Sequence, residues 1–255
     1  MDRSQSPLTA KAINAILLDI EGTTTPVDFV YEILFPYARS RVREYLSANF
    51  PSSQAEINAL IEENAQDKAR GFNPPSLKDP SRQVSIDGVT AYIHWLMDRD
   101  RKSSPLKSLQ GKIWEEGYLK GELRGQVFED VPRALRRWRD QGRLIFIYSS
   151  GSVLAQKLLF AHTEFGDLTS FIDGYFDTTI GSKKEAESYR RIAHTIKLQP
   201  AGTLFVSDVT SELDAAAASG LETVLCSRPG NAEAEAGARR VINSFDEINI
   251  DDSSQ

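Results

Sequence analysis

One cysteine, Cys226, stands among 255 residues, with two methionines and three histidines. A single thiol excludes an internal disulfide framework and any zinc site built on cysteines, and it suits a reducing compartment. His94, His162 and His194 lie far apart without metal-ligand spacing, which leaves them to helix surfaces or core packing. No apolar run approaches the roughly 18 residues that a membrane span needs. The opening stretch MDRSQSPLTAKA has no apolar centre of the kind a secretory signal carries. Positive charge is also short: 30 lysines and arginines face 36 acids, a formal net charge of -6. That balance argues against a nucleic-acid partner but allows a local basic pocket for a small anion. The expectation is a soluble, cytoplasmic protein with neither a membrane nor a nucleic-acid partner.

What is present is an ordinary globular composition, 40% hydrophobic and 26% charged, in a chain long enough for a core with a smaller inserted domain. Three apolar runs end in polar residues and read as buried parallel strands: NAILLDI (14–20), RLIFIYSS (143–150) and GTLFVSD (202–208). Helical patterns follow the second and third, in SVLAQKLLFAHTEF and VTSELDAAAASG. ETVLCS predicts a fourth strand and GYFDTT a short one. Alternation of this kind predicts an open α/β sheet with helices on both faces, where ligands gather at the carboxyl ends of strands. Asp19, Ser149 and Asp208 each fall at such an end.

The interval between the first two strands is different. It reads as helix in VYEILFPYARSRVREYLSANF, SQAEINALIEENAQDKA, VTAYIHWLMDRD and SLQGKIWEEGYLKGEL. Pro36 should kink or interrupt the first of these, and GFNPPSLKDPS should be a loop. The pattern divides the chain into an α/β core of residues 1–28 and 125–255 and an all-helical cap of residues 29–124, inserted behind the first acidic turn. Most of the aromatics Phe29, Tyr31, Phe35, Tyr37, Tyr92 and Trp95 recur at helical spacing and should be core. The tail NIDDSSQ is expected to be disordered.

The acidic turn carries the chemistry. An acid after a strand is first of all a turn former or helix cap, and three threonines suit a turn. Two acids spaced i and i+2, as Asp19 and Glu21 are, can instead face one crevice, one attacking while the other moves protons. Ser149-Ser150-Gly151 reads as a helix cap, or as a phosphate cradle at a helix start. Asp208 is followed one turn on by Glu212, which either supports a site from behind or is an exposed acid. Lys183 and Lys184 are surface lysines by default.

DIEGT resembles the first motif of the haloacid dehalogenase-like phosphatases, Asp-x-Asp-x-Thr, with Glu21 in the second place. Glu is the residue expected there in one subfamily, the enolase-phosphatases of methionine salvage (acireductone synthases). The resemblance to that subfamily runs through DIEGTTTPVDFVYEILFPYAR, WLMDRDRKSSPLKSLQGKIWEEGY, GELRGQVFEDVP, IYSSGSVLAQKLLF, SYRRIA, SDVTSELDAA and RPGN, so it covers nearly the whole chain. It implies a Rossmann-like parallel-sheet core with a helical cap. It further implies Asp19 as nucleophile, Glu21 as acid and base, Lys183 rather than Lys184 as the neutralising cation, and Ser149 and Ser150 as phosphate binders. Mg²⁺ would be held by Asp19, the Glu21 backbone carbonyl and Asp208, a hard-oxygen set that suits that ion.

The implied reaction, carried out by a monomer, converts the small phosphorylated diketone 2,3-diketo-5-methylthiopentyl 1-phosphate to the acireductone 1,2-dihydroxy-3-keto-5-methylthiopentene and phosphate. Enolisation would come first and dephosphorylation through an aspartyl phosphate second. Rival readings are a phosphatase for another small phosphate ester, a haloacid dehalogenase, which needs no acid at position 21, and a catalytically dead binder of phosphorylated metabolites.

Overall fold

The computed structural model describes residues 13–79, 81, 83–231 and 237–250. The chain divides into two compact units, Met1–Val30 with Arg124–Gln255, and Tyr31–Leu123.

The first unit is built on a six-stranded parallel sheet. Its strands are β1 (Ala15–Leu18), β2 (Leu144–Tyr148), β3 (Gly174–Phe176), β4 (Thr203–Ser207), β5 (Glu222–Cys226) and β6 (Val241–Ile242), in the order β3-β2-β1-β4-β5-β6. Both β1 and β4 are buried along their whole length, which is why they lack apolar–polar alternation. Its helices are α5 (Asp130–Asp140), α6 (Val153–Ala161), α7 (Ala186–Thr195) and α8 (Thr210–Ala218); α1 to α4 belong to the second unit. One sheet face, with Leu17, Phe146, Tyr148 and Phe205, packs on Tyr189 and Ile192 of α7 and Leu213 and Ala216 of α8. On the side of α5, Trp138 is fully buried and lies against Phe245 with ring centroids 5.4 Å apart.

Strand order decides where a site forms. The chain runs outward from β1 to β2 and β3, then returns to β4 on the other flank of β1. That reversal opens a crevice at the carboxyl ends of β1 and β4. Leu18 is in register with Ile147 on one side and Val206 on the other. The next residues in each strand, Asp19, Tyr148 and Ser207, therefore meet at one level, and Asp19 stays in the ladder by donating its N–H to Val206 O at 3.0 Å.

The five strands expected from the apolar runs are present. β6 and α5 were not expected. The helix after β2 ends at Ala161, earlier than its pattern suggested. Thr163 turns the chain there by donating its hydroxyl to Gly166 O at 2.5 Å.

The second unit holds α1 (Phe35–Asn49), α2 (Gln54–Ala69), α3 (Ile86–Met97) and α4 (Ser104–Leu119). The first helical pattern is interrupted just ahead of Pro36. A π-helical turn, Phe29–Leu34, hands over to α1, and Pro36 falls in the first turn, where its missing N–H would be unpaired in any case. Ser85 and Ser103 cap α3 and α4 by accepting from Gly88 N and Leu106 N. Inside the bundle Asp67, fully buried, accepts from Tyr92 Oη and Arg101, each at 2.8 Å. Of the six aromatics expected mostly as core, Phe29, Tyr92 and Trp95 are buried, while Tyr31 is 60% exposed.

No helix among the described residues is long and apolar enough to cross a membrane. The opening stretch 1–12 lies outside the described residues, as do 251–255 of the tail. Ile250, counted with that tail in the sequence, is buried.

Candidate active site

Asp19 is the first residue beyond β1 and is 2% exposed. Its Oδ1 accepts from the next backbone N–H, Ile20 N, at 2.7 Å, and its Oδ2 from Ser207 Oγ at 3.0 Å. The loop that follows is wound on one carbonyl: the N–H groups of Thr23, Thr24 and Thr25 converge on Ile20 O at 3.1, 3.0 and 2.9 Å. Thr24 Oγ1 adds a bond of 3.1 Å to Asp19 O. The run of threonines thus builds the turn that holds the acid still. Glu21, half-buried, sits in this loop, bridged through its backbone to Thr25.

Gly22 has φ +70°, a conformation that side-chain-bearing residues avoid. A Cβ there would lie 2.3 Å from Asp208 Oδ2, so the missing side chain is what lets Asp208 close on the loop.

Lys183 enters from the loop ahead of α7. It is 6% exposed, and its Nζ stands 2.6 Å from Asp19 Oδ1 and 2.6 Å from Glu212 Oε2. Tyr189 Oη pins its backbone by donating to Lys183 O at 2.7 Å. Burial disfavours the ammonium, but the charges of Asp19 and Glu212 overcome it and raise its pKa. Lys184 is exposed. Burial, which spacing alone does not reveal, separates the two lysines.

The open question about Glu212 resolves towards the site. It is 8% exposed in the first turn of α8, on Lys183 and against Ser207 Oγ at 3.1 Å. Burial raises its pKa, the Asp19 charge adds to this, and the shared ammonium only partly opposes it. Ser207 Oγ accepts from Val209 N at 3.1 Å and has one proton to divide between Asp19 and Glu212.

Asp208 ends β4. Its Oδ1 is buried without a protein partner, and burial, reinforced by the Asp19 charge, raises its carboxyl to about 6. Three carboxylates, Asp19, Asp208 and Glu212, thus face one ammonium in a buried crevice. Such an excess of negative charge is costly unless a cation completes it. An unpaired carboxylate oxygen on Asp208, bare Gly22 beside it and hard oxygen donors fit a divalent ion of the Mg²⁺ class. Among the described residues no three His, Cys, Asp or Glu side chains cluster as a metal site. The expected set of two carboxylates and a backbone carbonyl does not require such a cluster.

Ser149 follows β2 directly and is 1% exposed, its Oγ accepting from Gly151 N at 3.1 Å. Ser150 is half-buried next to it. Both stand ahead of α6, whose start is capped by Ser152 Oγ accepting from Ala155 N at 3.3 Å. A phosphate there would meet two hydroxyls just ahead of a helix N-terminus.

The sequence reading missed Ser207, Arg228 and Asn231. Ser207 looks like a strand residue until the β1–β4 register sets it beside Asp19. Arg228 and Asn231 lie in the RPGN segment, one of those that carry the family resemblance. Asn231 donates from Nδ2 to Gly22 O at 2.9 Å, and Arg228 from Nε to Thr23 O at 3.1 Å.

Comparison with known proteins shows the family. Residues 13–220 match the haloacid dehalogenase-like hydrolase family. The chain is 52% identical over 239 residues to the enolase-phosphatase E1 of Synechococcus elongatus, covering 93% of this chain and 98% of that one. It is 42% identical over 225 residues to the enolase-phosphatase E1 of Drosophila persimilis, covering 88% and 89%. Among solved structures, the UTR4 protein of Saccharomyces cerevisiae superposes with a TM-score of 0.76 at 36% identity, over 92% of this chain and 99% of that one.

Proposed function

The chain belongs to the haloacid dehalogenase-like hydrolases and, within them, to the enolase-phosphatases, and from that premise we propose that it converts 2,3-diketo-5-methylthiopentyl 1-phosphate to the acireductone and phosphate. The observation that carries the reading is the buried arrangement of Asp19 against Lys183, with Glu21 two residues on and Asp208 at the end of the adjoining strand.

Asp19 is the nucleophile. Lys183, 2.6 Å away, pairs with its carboxylate, and the bond from Ile20 N holds Oδ1 in place. Attack forms the Asp19–phosphorus bond as the bond from phosphorus to the substrate oxygen breaks. Glu21 gives its proton to the departing oxygen, then takes one from the water that cleaves the aspartyl phosphate. Ser149 and Ser150 orient the phosphate with hydroxyl and amide donors. Asp19, Asp208 and the Glu21 carbonyl would hold Mg²⁺, which supplies charge neutralisation on the phosphoryl oxygens when bound. Enolisation, the loss of a proton from the carbon bearing the phosphate ester, requires no attack on phosphorus and precedes it.

The test is NMR of the diketone phosphate in D₂O with enzyme and Mg²⁺, for wild type and for Asp19→Asn with metal occupancy checked. The wild type should exchange the C1 protons and release phosphate as acireductone forms. Asp19→Asn should lose phosphate release by several orders of magnitude and still exchange C1 protons. Near-normal phosphate release from Asp19→Asn removes the nucleophile, and release of a dephosphorylated diketone before any C1 exchange reverses the order.

A further inference from the structure

The loop after β5 reads Arg228-Pro229-Gly230-Asn231 and reaches back across the sheet to the loop that carries Glu21. We propose that Asn231 is a positioning residue for phosphoryl transfer, holding the peptide that follows Glu21 and Gly22 in the only orientation that presents Glu21 and admits Asp208. The proposal rests on the phosphatase reading of Asp19 and Glu21.

Arg228 is the anchor. It is 5% exposed, its guanidinium lying 4.4 Å from the Phe128 ring centroid and 4.7 Å from that of Phe245. Nη1 pairs with Asp130 Oδ2 at 2.9 Å and donates to Asn243 O at 3.0 Å. Asp130 in turn accepts from Ser244 Oγ at 2.9 Å. With its head fixed by these groups, Arg228 donates from Nε to Thr23 O. The loop then turns at Gly230, φ +89°, closed by Asn231 N donating to Arg228 O at 3.1 Å. This short turn delivers the Asn231 amide to Gly22.

The chemistry of that contact is unambiguous. Gly22 O is an acceptor, so the amide must turn its NH₂ towards it, as Nδ2 does at 2.9 Å. The inner bonds of the loop run to the Ile20 and Thr25 carbonyls, while Gly22 O and Thr23 O, two successive carbonyls, each receive a side-chain N–H from the same distant segment. A Cβ on Gly22 would stand 3.0 Å from Asn231 Oδ1 and 2.3 Å from Asp208 Oδ2. Asn231 and Asp208 therefore share the bare face of one glycine. Release of Gly22 O frees the Gly22–Thr23 peptide plane, which joins Glu21 and Gly22 to the threonine turn wound on Ile20 O, and so loosens the loop that carries Glu21. Neither atom of the Asn231 amide needs to touch substrate for this.

Phosphate release is measured from the diketone phosphate and from p-nitrophenyl phosphate at saturating Mg²⁺, together with the melting temperature. Asn231→Ala should lower kcat about 10–100-fold, the usual cost of removing a group that orients a catalytic one, with KM changed less than about threefold. Asn231→Asp keeps the shape, removes the donor and carries the same expectation, so it serves if the alanine variant folds poorly. Asn231→Gln keeps the amide and should recover part of the lost kcat. The proposal is overturned if Ala and Asp variants keep kcat within twofold of wild type, if the loss falls on KM instead, or if Gln is no better than Ala. A wild type inactive on both substrates overturns the phosphatase reading, and this proposal with it.

Discussion

Removing divalent cations and raising the pH should destabilise the protein at the same place. Burial and the Asp19 charge raise the Asp208 carboxyl from 3.8 to about 6. Glu212 is raised as well, by burial and by Asp19. An acid with a higher pKa in the folded state binds more protons folded than unfolded between the two values. Stability is therefore complete below the unfolded pKa and is lost as the pH climbs through the folded one. For Asp208 that window runs from 3.8 to about 6. At about 1.36 kcal/mol per pH unit the rise is worth roughly 3 kcal/mol, which partial contact with water reduces to about 1–2 kcal/mol. Glu212 acts in the same direction, but its shared ammonium makes a separate figure meaningless.

Somewhat less than half of that loss falls between pH 5 and pH 7.5, so in excess EDTA the melting temperature should fall by about 1–4 °C over that range, at roughly 2–4 °C per kcal/mol for a chain of this size. Mg²⁺ competes with protons for the same oxygens, so it should raise the melting temperature more at pH 7.5 than at pH 5. Exposed carboxylates whose pKa is lowered by hydrogen bonds, such as Asp79 and Asp167, lose their contribution only on the acid side of this range. Asp208→Asn isolates this carboxyl from every other titrating group: it should flatten the EDTA profile. Differential scanning fluorimetry over a pH series decides the matter. A flat or rising EDTA profile for wild type, or an Mg²⁺ shift equal at both pH values, refutes the assignment of Asp208 to an incomplete cation site.

Gly22→Ala forces an L-residue into φ +70°, at a cost of about 1–2 kcal/mol, and drives a methyl group into Asp208, so phosphate release should fall at least about 100-fold. A folded Ala variant with wild-type rates would show that Asp208 need not close on the loop. Glu21→Gln should lose roughly 10²–10⁴-fold in kcat while Glu21→Asp keeps more, and equal rates for all three would leave Glu21 only its carbonyl. Arg228→Ala leaves Asp130 buried without its cation and should cost about 3–5 kcal/mol in urea unfolding, a loss under about 1 kcal/mol being inconsistent with a buried pair.

The sheet was legible because its central strands are buried on both faces and so read as unbroken apolar runs. β6 escaped because two residues, Val241–Ile242, carry no periodicity. α5 escaped for a different reason. Its buried Val131, Ala134, Leu135 and Trp138 are interleaved with charged side chains, and Pro132 sits in its first turn like a loop residue. In the site, Asp19 and Asp208 announce themselves as acids that stop a strand. Lys183 does not differ from Lys184 in type, and only the resemblance separated them before the fold showed one buried and the other exposed. Ser207 was invisible for a topological reason: its partner is 188 residues away, and it becomes that partner only when β4 lies beside β1 rather than beside β3.

The same topology explains why the RPGN segment gave no signal of its own. A side chain that orients a loop does so through whatever backbone the strand order puts in front of it. Thr23 O and Gly22 O are separated from Arg228 and Asn231 by 205 and 209 residues. Nothing in Arg-Pro-Gly-Asn, taken by itself, distinguishes a surface turn from a brace. The distinction lies in the burial of an arginine between two rings with a carboxylate behind it. A charge placed there costs too much to serve a turn that water could satisfy. The loop it holds contains Glu21, so on the role proposed for that acid the cost of burying Arg228 is offset by geometry at Glu21.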